Sequence, residues 1–438
     1  MIWVFAGVLG VLAIWHYRSE GSALFPPVLY AGLWASVLGA LAVEGDVYYP
    51  LSFDTLGIIL LGSVGFGLGG HLALLASRPH QESRPRDYGY RLPLSLVLNV
   101  SVAVVAVALP FYWYRVQDIV AKAAPGDEFW VSLRTEIGES GGAGLGFFVY
   151  LSSFSSFLAV VAVYEIKARD SLWTKVRMLL LIAMSIALHL GSGGRLESLL
   201  LFFSITGVGW LRSKRVRLGP AILGGLLAVV IFAVVGFLLG KGASAESSFA
   251  ENVGTMTSTM RHYVLSGTVG FDRFVRGYVN FPPGNRTFRF FIAVGRALGI
   301  KGGEVAELIL PNCDTPAITN VYTIWHPFYS DFGWAGVAII PFLLGIAATI
   351  VYQGALRGVP HACILYAYFI GSLILCVASD MFVMSLSHWL QIGFYCILLF
   401  RRIDGPVLAP TKSRFFGPVN LQGAGRSMPA GLERDHFS

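Results

Sequence analysis

Apolar runs recur along most of this chain, and eleven of them predict helices: residues 2–16, 24–43, 53–77, 92–114, 143–164, 176–191, 196–211, 219–239, 332–352, 360–378 and 381–400. Most approach the roughly 20 residues that a helix needs to cross hydrocarbon. In lipid every backbone N–H and C=O has to be satisfied within its own segment, so runs of this length read as helices. The first run is short for a full span and lacks the basic leader and small-residue cleavage site of an ordinary signal peptide; it is expected to be a helix. The pattern divides the chain into eight helices over 1–239, a large loop over 240–331, three helices over 332–400 and a tail over 401–438. The tail carries Gly, Pro and Arg with little periodicity and reads as a loose extension. No internal repeat is visible, so the inverted-repeat layout of many transporters is not supported.

The polar positions between the runs give an orientation. Alternate loops hold Arg18; Arg78, Arg84, Arg86 and Arg91; Lys167, Arg169, Lys175 and Arg177; Arg212, Lys214, Arg215 and Arg217; Arg357; and, in the tail, Arg401, Arg402, Lys412, Arg414, Arg426 and Arg434. These are 20 of the 32 basic residues, and most of the others lie in the large loop, where the positive-inside rule loses force. The expected arrangement has the C-terminus in the cytoplasm, with the N-terminus and the large loop outside. Glu44, Asp46, Asp127, Glu128, Glu136 and Glu139 fall on the outer side.

Composition supports the class. Hydrophobic residues make up 55% of the chain, charged residues 13%, and mean hydropathy is +0.66. A soluble domain carries about a quarter charged residues. The net charge of +7 sits in short loops, which speaks for a bilayer and against a nucleic-acid partner. Of four cysteines, Cys363, Cys376 and Cys396 lie in or beside apolar runs and Cys313 is alone in the loop, so no disulfide framework is implied.

Three segments carry candidate chemistry. Between Arg261 and Arg296 the loop has Arg261, Arg273, Arg276, Arg286, Arg289 and Arg296, no lysine, and Asp272 as its one acid. Arginine forks suit phosphate oxygens, although these arginines could equally meet lipid headgroups. Phe288 to Leu298 alternates aromatic, aliphatic and Arg residues in the manner of an interfacial helix. In the second segment, Leu188–His–Leu–Gly–Ser–Gly–Gly–Arg–Leu–Glu197, a glycine-rich turn sets Arg195 at the start of a helix. Backbone N–H groups of Ser192, Gly193 and Gly194 could approach an anion there, or Arg195 could simply pair with Glu197. The third and densest segment, Thr319 to Gly333, places Asn320, Tyr322, Thr323, His326, Tyr329 and Asp331 where the loop enters the ninth predicted helix. An aromatic belt explains Tyr322, Trp325, Phe328 and Tyr329, but it does not ask for His326 and Asp331. His189, His262 and His388 have less support. No metal-ligand spacing or nucleotide cradle appears, so no metal and no cofactor are expected.

At this third segment the sequence resembles the O-antigen polymerase (Wzy-type) family of oligosaccharide repeat unit polymerases. The carrying residues are Asn320–Val–Tyr–Thr323 and Tyr329–Ser–Asp–Phe–Gly–Trp–Ala–Gly336. Gly191–Ser–Gly–Gly–Arg195 is similar to a Gly/Ser–Arg element of that family, with Gly194 and Leu196 departing from its pattern. Tyr263–Val–Leu–Ser–Gly267 with Phe271–Asp272 is similar to a segment early in its large periplasmic loop. The resemblance spans about residues 185–345; the N-terminal helices match only in hydropathy.

The resemblance implies an all-α, polytopic, GT-C-like fold of about eleven spans in the bacterial cytoplasmic membrane, with amphipathic helices in the periplasmic loop. It implies transfer of a growing glycan from undecaprenyl pyrophosphate onto a second lipid-linked repeat unit. The implied partners are the lipid-linked donor and acceptor, the bilayer and, as a further candidate, a chain-length regulator. Asp331 or His326 would serve as base, and Arg195, Arg261 and Arg289, with Arg276 and Arg286 nearby, would meet the pyrophosphates. Asp272, Tyr263, Asn320, Tyr322 and Tyr329 would hold sugar hydroxyls. An O-antigen ligase, or a transporter or flippase of lipid-linked saccharide, is the alternative.

Overall fold

The computed structural model describes residues 1–77, 88–123, 129, 132–133, 136–137, 143–167, 169–192, 195–213, 249–281, 285–300, 302–306, 310–316 and 318–402. The predicted helix at 219–239 and the tail from 403 lie outside them.

Among the described residues the chain is overwhelmingly helical. The first helices are α1 (Ile2–Glu20), α2 (Pro26–Val43), α3 (Phe53–Ser77), α4 (Leu94–Ala123), α5 (Phe148–Glu165), α6 (Leu172–Gly191) and α7 (Arg195–Ser213). After them come α8 (Phe249–Val275), α9 (Arg289–Ala297), α10 (Trp325–Leu356), α11 (Pro360–Leu375) and α12 (Leu386–Leu399). Seven of these, α1 to α6 and α10, are long and apolar enough to cross a membrane, and α11 and α12 are shorter apolar helices. Local chemistry marks the ends. Prolines open α2 and α11 at positions where no intrahelical N–H is needed. Gly21 closes α1 with φ 71°, and the Ser171 hydroxyl caps α6 by accepting the N–H of Thr174.

Several boundaries differ from the hydropathy reading. α4 runs to Ala123 rather than to 114, because Arg115, Asp118 and Lys122 form i,i+3 and i,i+4 ion pairs that continue the helix beyond its apolar stretch. The helix expected from 332 begins at Trp325, so His326 and Asp331 belong to it rather than to the loop before it. Gly333, at φ 56° and ψ −140°, breaks this helix just after Asp331. A side chain is excluded from that conformation, so the break is written in the sequence by glycine.

The tightest pairing is α3 on α10. A Cβ at Gly65 would stand 2.9 Å from the carbonyl oxygen of Ala338, one at Gly69 would overlap that of Phe342, and one at Gly345 would overlap that of Phe66. Small residues at this spacing let two backbones approach, as membrane helices require where hydrophobicity alone drives no association.

Two short strand pairs join distant segments. β1 (Tyr88–Tyr90) pairs antiparallel with β4 (Phe400–Arg402), tying the connection before α4 to the end of α12. β2 (Cys313–Asp314) pairs with β3 (Ile318–Thr319) just ahead of α10. At the other end of the bundle from β1 and β4, the α2–α3 connection is bonded to α8.

Replacing Gly69 with Val is expected to separate α3 from α10 at a cost of roughly 1–3 kcal/mol. Gly39→Val, on α2 where nothing lies within 4 Å, is expected to stay close to wild type. Thermal unfolding in detergent, followed by monodisperse elution, distinguishes them; equal melting of both variants would refute the contact.

Candidate functional site

The segment entering α10 is fixed before it reaches the chemistry. The Ile324 N–H donates to the carbonyl of Cys376 at 2.9 Å, and Trp325 packs against Trp34 and Tyr30, with ring centroids 5.4 and 5.7 Å away. His326, the next residue, is 1% exposed. Its ring lies among Phe281 (4.3 Å between centroids), Phe274 (5.1 Å) and Tyr322 (5.2 Å). Both of its nitrogens are buried without a hydrogen-bond partner among the described residues. Asp331 follows just over one turn later. Its Oδ2 accepts the Thr287 N–H at 2.7 Å, while its Oδ1 is buried and has no partner among the described residues. The Thr287 hydroxyl donates to the Pro327 carbonyl at 3.4 Å, holding the donor strand against the helix.

Arg286, immediately before Thr287, is 5% exposed and stands 4.9 Å from the centre of the Phe281 ring. It is near enough for its charge to act on His326 and Tyr322. The Arg286 guanidinium therefore acts on the His326 imidazole in an aromatic enclosure, and the N–H of the next residue, Thr287, holds the Asp331 carboxylate. A buried polar atom left without a partner costs about 1–3 kcal/mol. Three such atoms on His326 and Asp331 point to a ligand that completes them.

The remaining predicted residues divide by role. Asp272, 1% exposed, accepts from both the N–H and the hydroxyl of Ser52 at 2.6 Å and pairs with the Arg276 Nε at 2.8 Å. Arg276 also donates to the Pro50 carbonyl at 2.5 Å. Arg261 pairs with Glu44 at 3.0 Å, and beside it the burial of His262, then the Arg261 charge, lowers the imidazole's pKa. These contacts bind α8 to the α2–α3 connection. Arg289 donates its Nε to the Ala306 carbonyl at 2.8 Å. Tyr322 donates its hydroxyl to the Pro311 carbonyl at 3.0 Å, and burial raises that phenol's pKa. Tyr329 is half-buried against Phe271 and Phe274, Tyr263 packs on the core, and half-buried Asn320 has no partner among the described residues. Of the predicted arginines, Arg286 is the one that the fold brings to His326. Gly193, Gly194 and the side chain of Arg195 lie outside the described residues.

Two features escaped the sequence reading. One is a buried polar seam in the bundle: Ser156 bonds the His189 Nε2 at 3.0 Å, Ser185 bonds Ser155 at 3.0 Å, and Ser153 lies 3.4 Å from the His388 Nδ1. The run Ser152–Ser153–Phe154–Ser155–Ser156 inside an apolar stretch was its signal. The other is Asp380, 3% exposed in the α11–α12 connection, whose carboxylate accepts the N–H groups of Phe382, Val383 and Met384 at 2.8–3.2 Å.

No family model, curated protein or solved structure matches this chain.

Burial lifts the Asp380 carboxyl to about 6, with its three backbone donors pulling the other way. A carboxyl raised in the folded state favours the protonated form, so folding loses stability as pH climbs from the unfolded value, 3.8, through about 6. The loss is about 3 kcal/mol, constant above that window and absent below it. Melting temperature between pH 4 and 7 is expected to fall in the wild type and to flatten in Asp380→Asn. The same slope in both proteins would assign it elsewhere.

Proposed function

We propose that this chain is a membrane glycosyltransferase that polymerises undecaprenyl-pyrophosphate-linked oligosaccharide repeat units at the periplasmic face of the bacterial cytoplasmic membrane. The observation that carries the reading is the buried Arg286 beside His326, the adjacent Thr287 N–H on Asp331, and the buried atoms of His326 and Asp331 that lack partners among the described residues, at the start of α10 where the loop assigned to the outside ends. On this reading the chain has about eleven spans, the N-terminus outside and the C-terminus inside.

The reaction asks little of the protein beyond these groups. The acceptor hydroxyl attacks the anomeric carbon of the donor glycan. A C–O bond forms there, the bond from that carbon to the pyrophosphate oxygen breaks, and its electron pair leaves with the lipid pyrophosphate. The acceptor proton passes to a base. Asp331 suits that role, because the Thr287 N–H orients one oxygen and leaves the other free. His326 then supplies a second hydrogen bond to the acceptor from a water-poor enclosure. Pyrophosphate is a good leaving group that needs charge stabilisation more than a proton. Arg286 supplies that charge, and Arg195 is a second candidate. A glycosidase would instead need two placed carboxylates flanking the bond.

Purified protein in nanodiscs, given its lipid-pyrophosphate-linked repeat unit, is expected to produce a product ladder on gels. Asp331→Asn, His326→Ala and Arg286→Gln are each expected to lower the rate by about 100-fold or more while eluting as folded protein. An unchanged ladder from Asp331→Asn would remove Asp331 from the mechanism. Transfer onto lipid A core in place of a ladder would make the chain a ligase.

A further inference from the structure

The nine-residue helix α9 has no buried residue, yet it is not polar. Phe288, Phe291, Val294, Leu298 and Ile300 are exposed by 50, 58, 41, 73 and 62%. At 100° per residue, Phe288, Phe291, Val294 and Leu298 fall on one continuous face. Arg289 and Arg296, seven residues apart, share the opposite side of the helix. A helix this short is marginal in water on its own, and its side chains are at most half-buried against the protein. A second phase has to hold it.

The neighbouring surface identifies that phase. Phe288 packs edge-on against Phe332, with centroids 5.9 Å apart. Phe332 and Trp334 are 43 and 44% exposed at the start of α10, and Ile339 and Leu343, further along it, are 56 and 55% exposed. The apolar face of α9 therefore continues the apolar face of a helix long enough to cross a membrane. Aromatic residues at such a junction sit at headgroup level. The charges match as well. Arg296 is exposed and makes no ion pair among the described residues, and it lines an open depression of about 550 Å³ with Gly299, Ile300, Gly302, Gly303 and Glu304. Arg289 uses its Nε on the Ala306 carbonyl, which fixes the direction of its guanidinium.

We infer that α9 is a bilayer-docking element: Phe288, Phe291, Val294 and Leu298 enter the acyl boundary, and Arg289 and Arg296 pair with the phosphates of anionic phospholipid. The inference stands apart from the proposed glycosyl transfer. It has one consequence for the site. Thr287 lies at the threshold of α9, so the docked helix holds the N–H that Asp331 accepts.

The test uses the full chain in nanodiscs of phosphatidylcholine with or without phosphatidylglycerol. An environment-sensitive fluorophore is attached at Phe291→Cys or, as control, at Asn312→Cys, which is exposed in the same loop; the four native cysteines are buried. The label at 291 is expected to be quenched by lipid spin-labelled near the headgroup and shielded from aqueous iodide, with the reverse at 312. Adding phosphatidylglycerol is expected to deepen the quenching at 291, and Arg289→Gln with Arg296→Gln to cancel that gain. In unlabelled protein, Phe291→Glu with Leu298→Glu is expected to speed amide exchange over residues 287–298 by tenfold or more. Equal iodide access at 291 and 312 would overturn the docking, and quenching indifferent to phosphatidylglycerol would overturn the pairing with phosphate. Neither readout involves glycosyl transfer, so a failure here is separate from a failure of the enzymatic reading.

Discussion

Everything at the candidate site depends on how closely α3 approaches α10. Helices in lipid gain nothing from hiding apolar side chains from water, so they associate through dispersion contacts that grow with proximity. Gly65, Gly69 and Gly345 remove the side chains that would hold these two backbones apart. Gly62 leaves the space that the Trp325 ring occupies, and that ring is fully buried. With Trp325 locked, the next residue, His326, has no freedom to leave its aromatic enclosure. Gly333 then turns the chain after Asp331, so the first turns of α10 follow a direction of their own and meet Thr287. Five glycines and a tryptophan thus place the two catalytic candidates.

Electrostatics does the corresponding work outside the bundle. A buried carboxylate is stable only when paired and hydrogen-bonded, and Asp272 has Ser52 twice and Arg276 once. That arrangement, with Arg261 on Glu44, fastens α8 across the α2–α3 connection. It also changes the meaning of the arginine-rich loop. A planar fork can bridge a carboxylate and a carbonyl together, which lysine cannot do as well, and Arg276 does this with Asp272 and Pro50. The absence of lysine between Arg261 and Arg296 therefore reflects intramolecular fastening as much as phosphate recognition. Arg286 is different, because it is buried beside an imidazole.

The parts of this molecule legible in its sequence are those governed by local periodicity. Backbone satisfaction in lipid makes hydropathy a direct reading of membrane helices, and ten of the twelve described helices lie where the apolar runs do, whereas α8 and α9 lie in the large loop. The errors came where polarity and helicity part company. His326, Ser330 and Asp331 looked like loop residues, yet they are helical, and α4 continues for two turns on ion pairs rather than on apolar side chains. At the site, the density of polar groups from Asn320 to Asp331 was visible in one dimension. The approach of Arg286 and Thr287 was not, because it is set by a return of the chain across 44 residues. The same holds for His189 and His388, which are far apart in sequence and share one seam.

That seam bears on where the chemistry lies. It joins α5, α6 and α12 through serine hydroxyls and imidazoles, and no lysine, arginine or carboxylate takes part in its described bonds. Interhelical hydrogen bonds of this kind contribute about 0.6–2 kcal/mol each in a membrane, which is enough to select a helix register. A pyrophosphate crossing the bundle would need cations to replace its hydration, because an unpaired charge in low dielectric is far costlier than an unpaired hydroxyl. The seam offers polarity without charge in its described bonds, whereas the head of α10 has the Arg286 guanidinium beside the His326 imidazole and the Asp331 carboxylate on the neighbouring Thr287. On the proposed reading, the charge of the described residues suits a pyrophosphate held at the end of the bundle better than one passing through its middle.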